Sequence, residues 1–155
     1  MKSKILLNYY NYCKNNYNLP TKNEIFYWLN IIFKKKNIKN VKNIEITISI
    51  VTKNIIEKLN KKYLKISKPT NVLSFLLENN FLKKKLLGDI ILCKEIIEYE
   101  SILQKKALKF HYTHIIIHSV LHLLQYEHKN FQEANLMELE EINILKLLGY
   151  KNPYL

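Results

Sequence analysis

Three histidines spaced for metal binding lie in the segment HSVLHLLQYEH, as His118, His122 and His128. Because residues four apart on an α-helix project from nearly the same face, with Cβ atoms about 6 Å apart, the imidazoles of His118 and His122 can reach one ion. Residues 125–127 are enough to end such a helix and return His128 to the same ion. The spacing therefore predicts a three-histidine metal site.

Zinc is the metal that this ligand set favours. Three protein nitrogens leave a fourth position for water, which distinguishes catalytic zinc from structural zinc closed by four protein ligands. Zinc held in this way lowers the pKa of its bound water to about 7. We expect one Zn2+ per chain, and chemistry that His118, His122 and His128 support through the metal and its water. The competing interpretation is that these histidines are hydrogen-bonded core residues.

Two more histidines, His111 and His114, extend the group toward the N-terminus. His114 precedes His118 by four residues, so these two form an alternative ligand pair. The turn that leads to His128 follows His122 and favours the later pair. We therefore expect His114 to support the ligands from behind or to belong to the core.

The residues beside the ligands bear on the type of chemistry. Metalloproteases of the H-E-x-x-H type carry their general base directly after the first histidine. Ser119 occupies that position here, so the sequence does not predict a protease of this type. Glu127, next to His128, is a candidate for orienting a ligand or handling a proton, and a solvated turn carboxylate is the alternative.

The elements that must position these histidines follow from hydrophobic periodicity and capping pairs. Thr21 and Glu24 have the spacing of a capping box, and apolar residues recur after them at helical period. Isoleucines alternate from Ile44 to Ile50, as in a strand with one buried face. The predicted elements are strands over 2–12, 43–51, 71–77 and 86–93, and helices over 22–36, 53–63, 94–104 and 109–124, with a last helix ending at Gly149.

The histidine helix, about 109–124, is apolar almost all round, which predicts a central place in the core. The last helix begins at a second capping pair, Asn130 and Glu133. Its apolar positions are Leu136, Leu139, Ile142, Leu145 and Leu148. Strands in the first half and helices in the second predict one α+β domain over 1–155, in which helices cover a small sheet.

Charge is weak evidence about the partner. The net charge of +12 over 155 residues favours contact with a phosphate backbone and disfavours cationic substrates. The sequence contains 25 lysines and no arginine, which indicates a compositional bias across the genome. The lysine runs 34–36 and 83–85 are expected to be solvated faces.

The two cysteines, Cys13 and Cys93, form no C-x-x-C motif, so we expect reduced thiols in a reducing compartment. No segment approaches the roughly 20 apolar residues of a membrane span, and the N-terminal residues lack a cleavable signal pattern. The expected location is the cytoplasm, without membrane association.

Taken together, the motifs resemble those of the YbeY endoribonucleases, which are bacterial rRNA maturation factors. The metal motif of that family runs H-G-x-L-H-L-x-G-Y-D-H, and the segment from His118 to His128 is in register with it. Leu59-Asn60 leading to PTNVLSF, then LLGDI and the terminal LLGYKNPY, resemble the other motifs of the family in order and spacing. The resemblance covers almost the whole chain from the first helix onward.

The resemblance implies an α+β fold around a small mixed sheet and a zinc-dependent, single-strand-specific endoribonuclease. The implied role is maturation of the 16S rRNA 3′ end and late ribosome quality control. The implied partners are rRNA and the small ribosomal subunit, with ribosomal proteins or assembly factors as further candidates. By the same resemblance His118, His122 and His128 are the zinc ligands, water completes the coordination, and the reaction is phosphodiester hydrolysis.

The largest departure from the family is Leu64, where the family usually carries an arginine associated with substrate contact. Lys62 and Lys65 can restore positive charge but not the planar fork of a guanidinium. We expect weaker RNA contacts, with Lys62 and Lys65 as candidate substrate-binding residues.

Two family glycines are also replaced. Ser119 is compatible with a close-packed helix if its hydroxyl bonds back to the backbone or faces the cleft. Gln125 costs on the order of 1 kcal/mol if its φ is positive. Glu127 in place of aspartate is a milder change.

Two alternative functions remain open at the level of sequence. The missing arginine favours a non-catalytic zinc-binding protein of ribosome assembly. The open coordination position supports a zinc hydrolase of a peptide or small molecule, although the glutamate expected after His118 is absent.

Overall fold

A computed structural model describes residues 3–38, 41–80 and 84–155 of the chain. In chain order its elements are β1 (Lys4–Asn11), α1 (Lys22–Lys36), β2 (Asn43–Val51), α2 (Lys53–Leu64), β3 (Val72–Asn80), β4 (Lys85–Cys93), α3 (Lys94–Leu103), α4 (Leu108–Leu123) and α5 (Phe131–Leu147).

The four described strands form one sheet in the order β1-β2-β4-β3. Strands β1 and β4 both run parallel to β2, whereas β3 pairs antiparallel with β4. The prediction of an α+β fold, with helices covering a small mixed sheet, is confirmed.

The main core lies on one face of this sheet. Alternate residues of β2 from Ile44 to Ile50 are buried there, because successive side chains of a strand point to opposite faces. Helices α1 and α4 contribute Leu29 and Ile116 to the same core. A smaller cluster on the other face joins α2 to the sheet and contains Val51, Ile56, Leu73 and Cys93.

Helix α4 is the central helix of the main core, as its apolar surface predicts. The C-terminal end of α4 packs closely against β4. A Cβ atom on Gly88 would lie 2.6 Å from Cδ1 of Leu123, so this glycine leaves room for that leucine. Glycine inside a strand often marks such an approach. Since Leu123 follows His122 directly, this contact helps to place the end of the helix that carries the histidines.

The capping predictions are confirmed. Oγ1 of Thr21 accepts a hydrogen bond from the amide of Glu24 at 3.1 Å, and Oε1 of Glu24 accepts one from the amide of Thr21 at 3.0 Å. Oδ1 of Asn130 accepts from the amide of Glu133 at 2.9 Å at the start of α5. Local sequence therefore determines where α1 and α5 begin.

Strand β3 is longer than the predicted span 71–77. It continues to Asn80 because its pairing with β4 resumes after a register shift between Leu76 and Glu78. Parts of two predictions, residue 2 of the first strand and Lys83 of a lysine run, lie outside the described residues.

The predicted last helix is present as α5, but its periodic apolar residues are not all buried. The side chains of Leu136 and Leu139 are 64% and 54% exposed. The buried residues of this helix are Met137, Glu141, Ile144 and Leu145. A glutamate at a core position breaks the apolar pattern of this helix.

Cys13 and Cys93 are free thiols, and Cys93 is buried. None of the helices that the structure describes combines the length and apolar character needed to cross a membrane.

Candidate metal centre

The C-terminal half of α4 and the turn after it bring His118, His122 and His128 together. One ring nitrogen from each lies within 4.8 Å of the others. The ring centroids of His118 and His122 are 4.6 Å apart, and those of His122 and His128 are 5.0 Å apart. His114 is not part of this group, so the geometry favours the later pair over the alternative pair.

A left-handed residue at Gln125 reverses the chain toward His128. Its φ is 73°, and the amide of Tyr126 donates to the carbonyl of Leu121 at 3.0 Å. This is the Schellman arrangement, in which glycine usually occupies the left-handed position. Gln125 therefore adopts the strained conformation anticipated for it, at a cost on the order of 1 kcal/mol.

Tyr126 anchors the loop that carries His128. Its carbonyl oxygen accepts a hydrogen bond from Nδ1 of His122 at 3.0 Å. Its hydroxyl donates to Oε2 of Glu140 at 3.3 Å and accepts from Nζ of Lys36, which also pairs with Glu140. Helices α1 and α5 thus hold the loop against the end of α4.

A buried carboxylate that sequence analysis missed lies behind the histidines. The side chain of Glu141 on α5 is 1% exposed, and its Oε1 accepts from Nδ1 of His118 at 2.6 Å. The same oxygen lies 3.4 Å from Nε2 of His114. The hydroxyl of Tyr154 donates to Oε2 of Glu141 at 2.5 Å.

These contacts determine the charge of Glu141. Burial alone would raise the pKa of the carboxyl, but hydrogen bonds from His114, His118 and Tyr154 outweigh burial and lower the pKa of Glu141 to about 2. The sequence signal was incomplete, since Glu141 lies four residues after Met137 and three before Ile144, while Glu140 lies three after Met137 and four before Ile144. Helical spacing therefore allows either glutamate to face inward.

The hydrogen bonds of His118 and His122 indicate which nitrogens are free. An ionised carboxylate and a carbonyl oxygen only accept hydrogen bonds, so Nδ1 of each ring carries the proton. Both Nε2 atoms then present lone pairs, and they lie 3.0 Å apart. Two facing lone pairs repel unless a cation lies between them.

The separation of these nitrogens fits a metal ion. Two nitrogens bound to zinc at about 2.0–2.1 Å in tetrahedral geometry lie roughly 3.3 Å apart. Burial, followed by the charges of His118 and His128, lowers the pKa of His122. A neutral imidazole is the form that binds a metal. The donor set therefore suits a metal ion.

The other predicted residues lie around this cluster. His114 packs edge-on against the ring of Tyr154 and beside Glu141. Glu127 is exposed and pairs with Nζ of Lys129 at 2.8 Å, and this hydrogen bond lowers the pKa of Glu127. Its surroundings are those of the solvated turn carboxylate.

The structure also shows the surroundings of two residues that depart from the family pattern, Ser119 and Leu64. Ser119 is fully buried and its hydroxyl donates to the carbonyl of Ile115 at 2.8 Å, so it bonds back to the helix. Leu64, the last residue of α2, is 51% exposed.

The candidate substrate lysines, Lys62 and Lys65, lie at the C-terminal end of α2. They line a shallow depression with Lys58, Lys61 and Ser67. None of the three clustered histidines is among the residues that line this depression.

Known proteins resemble the chain over nearly its full length. A family model described as Endoribonuclease YbeY matches residues 10–149. A protein named Endoribonuclease YbeY from Buchnera aphidicola subsp. Acyrthosiphon pisum is 49% identical over 154 residues, which cover 97% of this chain and 96% of that protein. A protein of the same name from Blochmanniella floridana is 42% identical over 152 residues, with 97% of each chain covered.

A solved structure supports the fold. The solution structure of a Thermotoga maritima protein matches 93% of this chain and 92% of its own chain, with a TM-score of 0.59 and 17% sequence identity. At that identity the likeness concerns the fold alone.

Proposed function

The chain belongs to the YbeY family, and on that premise we propose that it is a zinc-dependent endoribonuclease specific for single-stranded RNA. We assign it to maturation of the 16S rRNA 3′ end and to late ribosome quality control in the cytoplasm. Its proposed partners are rRNA, the small ribosomal subunit, and ribosomal proteins or assembly factors. The observation that carries the proposal is the convergence of ring nitrogens of His118, His122 and His128 within 4.8 Å.

The arrangement of these histidines suits metal-assisted phosphodiester hydrolysis. Bound zinc would supply a Lewis acid and a water of lowered pKa. His118 and His122 would hold the ion from the rigid helix, and His128 would hold it from the anchored turn. The side chain of His118 is 31% exposed and His128 is exposed, so the cluster is open to a flexible strand of RNA.

We propose further that Lys62 and Lys65 contact the RNA backbone. Lysines neutralise phosphates without sequence preference. Nζ of Lys62 also lies 5.1 Å from the ring centroid of Tyr63, which is 54% exposed. A charged and aromatic surface of this kind suits single strands, whose bases can stack on an exposed ring.

The lysine contacts can be tested by the salt dependence of RNA binding. Replacing Lys62 and Lys65 by glutamine should reduce the slope of log affinity against log salt by about 1.4, since each contact to a single strand contributes about 0.7. Lys22→Gln, at the start of α1, is the control. An unchanged slope in the double variant would remove these lysines from the interface.

The central experiment measures bound zinc and RNA cleavage on untagged protein. We expect about one zinc per chain and cleavage of a single-stranded 16S 3′ fragment but not of its duplex. His122→Ala should lose both properties. His111→Ala, which removes a histidine of the same helix outside the cluster, should keep both. Absence of cleavage by the zinc-loaded protein would contradict the proposal.

A second candidate is a non-catalytic zinc-binding protein of ribosome assembly. The exposed Leu64 at the end of α2 favours it, because this leucine stands where the resemblance implies a substrate-contacting arginine. The Leu64→Arg variant separates the two candidates, with Leu64→Met as control. If the native protein binds small subunits without cleaving RNA, and only Leu64→Arg cleaves, the non-catalytic function is supported.

A further inference from the structure

Glu141 is a buried carboxylate that the proposed hydrolysis does not use directly. Removing such a group from water is strongly unfavourable unless it is paired and hydrogen-bonded. Both of its oxygens have partners, since Oε1 contacts His118 and His114 and Oε2 accepts from Tyr154. The carboxylate is therefore held in one position behind the histidine cluster.

Glu141 contacts the ring nitrogen of His118 that points away from the histidine cluster. Its Oε1 accepts from Nδ1 of His118, while Nε2 of the same ring faces His122. The carboxylate thereby keeps the proton on Nδ1 and leaves the lone pair on Nε2 directed into the cluster. Carboxylate partners of this kind orient metal-binding histidines and increase their basicity.

Tyr154, next to the last residue of the chain, completes this arrangement. The preceding residue, Pro153, is buried and its carbonyl accepts from Nζ of Lys106 at 2.6 Å. The amide of Tyr154 donates to Oδ1 of Asn152 at 2.8 Å. These bonds fix the C-terminal tail so that the hydroxyl of Tyr154 reaches Glu141.

We infer that Glu141, held by Tyr154, is a positioning residue that prepares His118 to bind zinc. The C-terminal tail thus acts on His118 through the side chains of Tyr154 and Glu141. This inference rests on the proposed zinc-dependent function for the identity of the metal.

The test measures the zinc dissociation constant by competition with a chromophoric chelator. Glu141→Gln keeps the shape of the side chain but removes its charge, and should weaken zinc binding 10- to 100-fold, as loss of an outer partner does in other sites. Tyr154→Phe should weaken it by a smaller factor. Glu100→Gln is the matched control, because Glu100 bonds to His111 on the same helix, and its affinity should be unchanged.

A second readout reports on the ring itself. Long-range 1H–15N spectra of the metal-free protein should show His118 protonated on Nδ1, and Glu141→Gln should introduce the other tautomer. A merely structural role for Glu141 would not change this signature. If Glu141→Gln does not fold, Tyr154→Phe decides the question by the same two measurements.

Unchanged zinc affinity and tautomer in the folded variants would overturn the inference and leave the proposed nuclease function intact. A loss confined to Glu141→Gln would overturn the role of Tyr154. Conversely, a wild-type protein that binds zinc but fails to cleave RNA would contradict the proposed function, while a weaker Glu141→Gln would still support the inference.

Discussion

Two histidines of α4 each pair with a carboxylate from a neighbouring helix, but they use different ring nitrogens and differ in which partner is buried. In the N-terminal pair, Nε2 of His111 lies 3.1 Å from Oε1 of Glu100, and the side chains are 6% and 27% exposed. In the C-terminal pair, Nδ1 of His118 lies 2.6 Å from Oε1 of Glu141, and the side chains are 31% and 1% exposed. The histidine is the buried partner in the first pair, and the carboxylate is the buried partner in the second.

This difference shows that a carboxylate partner alone does not define a metal site. The second nitrogen of His111, Nδ1, is buried and has no hydrogen-bond partner among the described residues. The second nitrogen of His118 instead faces Nε2 of His122 at 3.0 Å, on a side chain that is 31% exposed. A metal site needs the carboxylate behind the ring and the free nitrogen in front of it, where other ligands converge.

Metal removal should distinguish the two pairs most strongly. At a free zinc concentration 100 times its dissociation constant, binding stabilises the folded state by about 2.7 kcal/mol, which corresponds to roughly 5–10 °C in melting temperature for a chain of this size. Chelation should therefore lower the melting temperature of the wild type and of His111→Ala. The melting temperature of His122→Ala should not respond, and a response of that variant would place the metal elsewhere.

Loss of the N-terminal pair should affect stability rather than metal binding. His111→Ala removes a buried ring and its bond to Glu100, and should lower the free energy of unfolding by roughly 1–3 kcal/mol. Zinc per chain should remain about one. Urea unfolding and metal analysis on the same sample check both statements, and loss of zinc would make the two pairs equivalent.

A substitution in the turn to His128 changes the C-terminal site and leaves the His111–Glu100 pair unchanged. Gln125→Gly relieves the positive φ of 73° and should stabilise the folded protein by about 1 kcal/mol. Gln125→Ala, which keeps a Cβ atom, is the control and should not stabilise it. Equal unfolding free energies for the glycine variant and the wild type would show that the turn relaxes around glutamine.

The smallest expected effect is a pH dependence that belongs to the N-terminal pair. Burial lowers the pKa of His111 below its ordinary value of 6.5, so near that pH the unfolded chain binds more protons than the folded one. Stability is therefore fully present above pH 6.5 and decreases as pH falls through that value. Urea unfolding between pH 7.5 and 5.5 should show this decrease in the wild type and a smaller one in His111→Ala.

The pKa of His122 is also lowered by burial, so this residue adds a dependence of the same sign. His122 is present in both the wild type and His111→Ala, so its contribution cancels when the pH dependences of their unfolding free energies are subtracted. Identical pH profiles for the wild type and His111→Ala would show that His111 does not titrate differently on folding.

Features that depend on neighbouring residues could be predicted from the sequence. The i, i+4 spacing of His118 and His122 was enough to predict a shared face, and the Thr21–Glu24 pair was enough to predict the start of α1. The strained turn at Gln125 followed from a replaced family glycine. Each of these predictions concerns atoms within a few residues of one another, where chain geometry leaves few alternatives.

Sequence by itself determined the element order, the α+β class and the three histidines that converge. Only the tertiary structure decided which of two adjacent glutamates, Glu140 or Glu141, faces those histidines, and that Tyr154 of the tail supports it. Helical periodicity allows several rotations of an amphipathic helix such as α5. The packing of α5 against α4 selects one rotation, because the buried face must fit a surface built by distant parts of the chain.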